Sequence, residues 1–361
     1  MRAVLIRGRN VDQVWRKALR EIKIHGETQT SRLGNTKEIR HVTMEVQDPI
    51  DRLVFSRSMN PAYSIAEVVW ILAGANKSSF LEFWNPRMFL YLDTDKSFFY
   101  GAYGKRLGSK PKLSTYAEKM LRVERNENVG SIDQLKSAVY ALKESSHSRQ
   151  VVFQIWRSDL DFPNPYPRSL DVPCNLVSHL LVRNDELEWM QVMRSTDIAW
   201  GLPYNLVQFT TLQEIMAGWL GISVGTFIHF SDSLHLYERH WQYLDRWSEA
   251  SHQSNFGKPK SLALDSYEDW EDMFRNFVDL VLRLTVEKKR SDLLSIIDQR
   301  KDFPGGYSEW LALLGSDALR RRGFLSEAKE MISLSGKYWA KSWLKWESTK
   351  RVNKNLDIEK G

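Results

Sequence analysis

The stretch from Arg149 to Trp247 constrains the fold most. Arg149–Trp156 reads as a buried strand through Val151, Val152, Phe153 and Ile155. Leu176–Val182 and Leu187–Met193 read as two more strands, joined by the turn-forming run Arg183-Asn184-Asp185-Glu186. A long apolar helix follows at Leu206–Leu220, then a strand at Val224–His229, and strand and helix resume over Ser233–Trp247. This order lacks the regular βαβ rhythm of a doubly wound sheet and predicts an α+β fold.

Upstream, Val14, Ala18, Leu19 and Ile22 give Val11–Ile24 helical spacing, and Gly26 ends the helix. Glu27–Thr36 reads as a polar loop whose glycine, hydroxyls and single arginine suit an anion-holding turn. Pro61–Ala73 reads as a buried helix with Glu67 inside its apolar run. A second polar loop spans Asp93–Lys112, a helix Ser131–Lys143, and a Pro-rich loop Phe162–Pro173. After a polar break at Ser251–Lys260 the chain becomes all-helical, ending in a helix over Ser335–Arg351. That helix carries Trp339, Trp343 and Trp346 on one face and Lys337, Lys341 and Lys345 on the other. Two regions are expected: 1–250, and a helical C-terminal extension, 261–361.

The formal charge of +6 is unevenly placed. From Leu319 to Gly361 there are 11 basic and 5 acidic residues, so the whole excess sits in this last segment and the rest is neutral. A basic nucleic-acid-binding body is thereby excluded, and the extension is left as the one place where nucleic acid could bind. The single cysteine, Cys174, excludes an intrachain disulfide framework and a Cys-based zinc site. No metal is expected. The lone thiol and the lack of a long apolar segment argue for a cytoplasmic location and against secretion or membrane spanning.

A lone cysteine is ordinarily an inert buried side chain, but the spacing around this one changes its meaning. Pro173-Cys174 is followed by Arg194-Ser195-Thr196-Asp197, by Gly201-Leu202-Pro203-Tyr204-Asn205, and then by His235-Leu236-Tyr237. Together these motifs resemble the thymidylate synthase family, including its deoxycytidylate hydroxymethylase branch, over roughly Val11–Trp247. The resemblance implies a mixed β-sheet packed with helices and a one-carbon transfer from 5,10-methylenetetrahydrofolate to C5 of a pyrimidine nucleotide. By the same resemblance Cys174 is the thiolate that adds at C6 and makes C5 nucleophilic. Arg194 is implied beside that thiolate and on the phosphate, Glu67 as the group that moves protons near O4 and C5, and Tyr103 near the cysteine.

For the nucleotide, the resemblance implies Arg32, Arg194 and Ser195 on the phosphate and His235 and Tyr237 on the sugar. Asn205 is implied on the base, where its amide complements uracil. Arg149 matches an arginine that reaches the other subunit's phosphate in a homodimer, although Gln150 replaces its usual arginine neighbour. Asp197, Gly201 and Tyr204 match the folate side of the cavity, and Trp84 is a candidate stacking surface for the pterin.

The chain also departs from the pattern. Asn175 stands where thymidylate synthases carry histidine, and the short C-terminal tail that closes over folate has no counterpart. That tail excludes water, and water attack in place of hydride transfer yields a hydroxymethyl group. Asn205 places methylation of dUMP first, with 5-hydroxymethylation of a pyrimidine nucleotide (dUMP, UMP or dCMP/CMP) as the direct competitor. A reading of another class is a non-catalytic nucleotide- or RNA-binding protein that uses the basic C-terminal helices.

Overall fold

A computed structural model describes residues 3–92, 97–123, 132–162, 171–250 and 256–358. Seven strands form one mixed sheet: β1 (Val4–Gly8), β2 (Glu27–Ser31), β3 (Gly34–Val46), β4 (Val152–Gln154), β5 (Asn175–Arg183), β6 (Glu186–Asp197) and β7 (Ser223–Tyr237). Their order is β1-β3-β7-β6-β5-β4, with β2 added to β3. The β1–β3 and β6–β7 pairs are parallel and the others antiparallel. This is the predicted α+β architecture.

The helix Pro61–Leu72 packs on the helix Leu202–Leu220, which in turn lies on β6 and β7 of the sheet. The second is buried along nearly its whole length, as its even apolar distribution requires. Asn60 caps the first by accepting from the N–H groups of Ala62 and Tyr63, with Pro61 at the first turn. The β5–β6 hairpin turns on Asn184 and Asp185, whose positive φ of 51° and 56° is that of a tight two-residue turn.

Several elements differ from the sequence reading. The expected loop Glu27–Thr36 is the β2–β3 hairpin, with Arg32 and Leu33 at its tip and Gly34 at φ 110°. Every residue of β2 is exposed, so no burial pattern marked it. β1 also lay outside the reading, being five residues long with only Ile6 and Gly8 buried. Ser223–Tyr237 is one continuous strand, because Ser231 inside it is buried with its hydroxyl donating to Thr196 Oγ1 at 2.9 Å. Arg149–Trp156 contributes only the short edge strand β4. Val151, Phe153 and Ile155 are buried there, but Val152 is 53% exposed because its side chain alternates outward. Within Asp93–Lys112, Tyr103–Leu107 is a short helix, and the expected loop Phe162–Pro173 lies mainly outside the described residues.

The C-terminal region is helical: Tyr267–Val286, Arg290–Asp298, Gly305–Arg321, Leu325–Met331 and Gly336–Ile358. Its tryptophans Trp270, Trp310, Trp339 and Trp343 belong to the same continuous core as Trp15 and Trp189. The join is also polar. Arg52 pairs with Glu214 and donates to Thr211 Oγ1 at 2.8 Å, while Glu214 accepts from the N–H of Leu262 at 3.0 Å. On the last helix, Tyr338 Oη accepts from Leu53 N–H at 2.8 Å and Lys345 Nζ donates to Phe55 O at 2.7 Å.

Candidate active site

Cys174 lies immediately before β5, half-buried. Arg194, on the neighbouring β6, folds back over the same segment. Its main-chain N–H donates to Cys174 O at 2.9 Å, and its guanidinium donates to Pro173 O and Val172 O at 3.0 Å each. A cation is thus fixed beside the thiol. Burial pushes the Cys174 thiol up; Arg194 opposes that shift, Asp171 adds to it, and Arg32 opposes it again. The β2–β3 hairpin therefore brings exposed Arg32 to the same place as Arg194.

Tyr103 is carried to the thiol by two close backbone approaches. Gly101 N–H donates to Asp171 Oδ2 at 2.9 Å, tying this segment to the one that precedes Cys174. Gly104 packs so tightly on the Pro61–Leu72 helix that a Cβ there would lie 2.3 Å from Ile71 O. Tyr103 is pushed well up by burial and by the nearby charges of Cys174, Asp171 and Glu67, with Arg194 opposing. Its hydroxyl thus lies within electrostatic reach of all four groups.

Glu67 projects from that helix. Tyr63 Oη donates to its Oε1 at 2.6 Å, while Oε2 is enclosed and makes no well-formed hydrogen bond. Burial raises the carboxyl to about 7, even though Tyr63 and the nearby Gln208 side chain favour its charged form. Such a group holds a proton in one step and releases it in another near neutral pH. Asn205 Nδ2 donates to Gln208 Oε1 at 3.1 Å, so Glu67, Gln208 and Asn205 form one polar run between two helices.

Asp197 and His235 are register partners at the ends of β6 and β7, as are Ser195 and Ser233 two residues earlier. Asp197 Oδ1 accepts from Ala199 N–H at 2.8 Å, which fixes the turn into the Leu202–Leu220 helix. Burial lowers His235, with Asp197 and Glu38 opposing, which favours the neutral imidazole. Tyr237 is raised by burial and by Asp197, with the nearby Ser31 side chain of β2 opposing. Gly201 N–H donates to Asp197 O at 2.9 Å, and Tyr204 Oη accepts from Asn60 N–H at 3.3 Å.

The family profile described as thymidylate synthase matches residues 13–274. The chain belongs to the thymidylate synthase family. Among curated proteins it is 34% identical over 233 residues to a deoxyuridylate hydroxymethyltransferase of Bacillus phage SP01, covering 64% of this chain and 58% of that protein. Proteins of the same description from Pseudomonas phage M6 and Delftia phage PhiW-14 are 30% and 27% identical, over 65% and 72% of this chain and 62% and 70% of theirs. The matched region thus spans about 60% of the first two relatives. The family match also runs beyond residue 250 into the Tyr267–Val286 helix.

Within this member of the family, two expected residues stand apart from the cluster. Arg149 is exposed before the edge strand β4, its carbonyl accepting from His179 Nε2 at 3.2 Å. Trp84 is fully buried, edge-on to Phe80 and Phe83, so its indole has no open face to stack a pterin. Aromatic surface near Asp197 comes instead from half-buried Trp200 and Tyr204, with Arg239 4.6 Å from the Trp200 ring and Arg57 5.8 Å from that of Tyr204. The sequence reading also omitted Tyr63, Asp171 and Gln208. Tyr63 lies four residues before Glu67 and Gln208 three after Asn205, spacings that share a helix face. Among the described residues no group of three or more His, Cys, Asp or Glu side chains could hold a metal ion, and no helix is long and apolar enough to cross a membrane.

Proposed function

We propose that this protein transfers a one-carbon unit from 5,10-methylenetetrahydrofolate to C5 of dUMP and releases a 5-hydroxymethyl nucleotide. The observation that carries the reading is Arg194 folded over the Val172–Cys174 segment, which holds its guanidinium beside the thiol. The names of the relatives favour hydroxymethylation over the methylation that the sequence alone placed first. Arg194 favours the Cys174 thiolate, which bonds to C6 of the base and drives electron density to C5. Arg32 and Ser195 join Arg194 on the phosphate, where planar guanidinium groups pair two oxygens. Glu67, with its carboxyl near 7, takes and returns protons at the base.

Folate supplies the electrophilic one-carbon unit. Asp197, Gly201, Tyr204 and Trp200 would hold it, and Arg57 and Arg239 suit its anionic tail. A homodimer is part of the same reading. On the sheet face opposite the helices, Val177, Val192 and Phe230 form one row across β5, β6 and β7, with His179, Met190 and Ile228 in the next, all partly exposed. Pairing of two such faces would cover this apolar surface and leave Arg149 at the seam.

Incubation with dUMP and labelled methylenetetrahydrofolate tests the reaction. Tetrahydrofolate with hydroxymethyl-dUMP is the expected outcome; dihydrofolate with dTMP would mean methylation. Absence of tritium release from C5-labelled dUMP and dCMP alike would sink both.

A further inference from the structure

An asparagine that reads a pyrimidine has a weakness: rotating its amide by half a turn exchanges donor and acceptor, and with them uracil and cytosine. Uracil offers an N–H at N3 and an acceptor at O4, whereas cytosine offers an acceptor at N3 and an amino group at C4. Discrimination by Asn205 therefore needs a neighbour that admits only one amide orientation.

Gln208 meets that need. It is 4% exposed, one turn along the same helix, and its Oε1 accepts from Asn205 Nδ2 at 3.1 Å. Gln208 is itself an amide and could rotate, which would present its NH2 to Asn205 and invert the pair. Its other side settles the direction. The Gln208 side chain lies beside Glu67 and favours the charged carboxylate, which accepts hydrogen bonds and donates none. With Glu67 charged, the N–H end of Gln208 therefore faces Glu67 and its carbonyl faces Asn205, the orientation seen in the contact between Asn205 Nδ2 and Gln208 Oε1. Asn205 is left with one Nδ2 hydrogen and its Oδ1 uncommitted.

We propose that Gln208 is the positioning residue that makes this site uracil-specific, by locking the Asn205 amide with its carbonyl toward the N3 hydrogen of the base. This rests on the reading of Asn205 as the residue that meets the base. The lock takes its direction from Glu67, so the proton-handling group also orients the base-reading one.

The test compares kcat/KM for dUMP and dCMP, measured as C5 tritium release, in the full-length protein and two variants. Gln208→Met keeps length and removes both polar ends; the dUMP:dCMP ratio is expected to fall at least tenfold. Gln208→Glu still accepts from Asn205 and is expected to keep the ratio while slowing both reactions, since it sets a second carboxylate beside Glu67. A structural role alone would lower both substrates in proportion and leave the ratio intact, and that result overturns the proposal. So does loss of selectivity in Gln208→Glu equal to that in Gln208→Met.

If Gln208→Met does not fold, Gln208→Lys decides by binding. Its ammonium can pair with Glu67 and only donates, so Asn205 must turn its carbonyl inward. Isothermal titration should then show dCMP bound more tightly than dUMP, and retention of the uracil preference refutes the lock. A wild-type protein inactive on both nucleotides would instead refute the reading of the site itself.

Discussion

At the scale of single residues, Glu67 makes the sharpest claims. Its carboxyl is raised from 4.5 to about 7, so the folded protein holds this proton more tightly than the unfolded chain does. The associated stability is complete below about pH 4.5 and is lost as pH rises through about 7. Glu67→Gln removes the cost of burying the charge, and at pH 8 it should stabilise the protein by up to about 3 kcal/mol in urea denaturation. Activity should move the other way. Turnover that needs the charged carboxylate rises with pH through about 7, and Glu67→Gln should flatten that limb while lowering kcat roughly 10²–10⁴-fold. Cys174→Ala should abolish C5 tritium release yet leave nucleotide binding measurable by titration. Cys174, Arg32, Arg194 and Glu67 could be singled out from the sequence because their types and spacings are rare together. Tyr63 and Gln208 were not, since a polar residue one turn from another is ordinary on any helix and nothing in sequence marks it as buried.

At the scale of elements, the cluster depends on how closely segments approach. Gly104 meets the Pro61–Leu72 helix so tightly that an alanine Cβ would lie 2.3 Å from Ile71 O, against backbone that cannot swing aside. Gly104→Ala should cost about 1–3 kcal/mol in urea denaturation and lower kcat, because Tyr103 moves with the displaced helix. The β2–β3 hairpin has a different role. Arg32 sits at its exposed tip, so Arg32→Ala should raise the KM for nucleotide with little effect on kcat or stability, a split that steady-state kinetics resolves. The apolar helices and the β5–β6 hairpin could be read from periodicity and turn chemistry. The β2–β3 hairpin could not, because its outer strand buries nothing and is specified by pairing with β3.

At the scale of the whole molecule, the basic C-terminal segment has a structural account that the charge count did not provide. Arg320 and Arg321 bond the buried carboxylate of Asp317, each at 2.7 Å, and Arg321 also donates to Trp84 O. Trp343 Nε1 reaches the same carboxylate at 3.3 Å. Part of the positive excess is therefore spent inside the fold, which weakens the reading of these helices as a nucleic-acid surface.

The dependence runs in both directions through Arg52 and Glu214. Both are buried, their pair is supported by Thr211, and the same carboxylate holds Leu262 N–H where the chain enters the extension. Removing one charge leaves the other enclosed and unpaired, so Arg52→Met should cost about 3–5 kcal/mol. Adding Glu214→Gln neutralises the remaining charge while keeping an oxygen for Leu262, and the double variant should recover part of that loss. If the extension is an integral half of the core, activity and the hydrogen-exchange protection of Gly305–Arg321 should be lost in one transition in Arg52→Met. Separate transitions, with activity outlasting protection of the C-terminal helices, would mean that residues 1–250 fold without them.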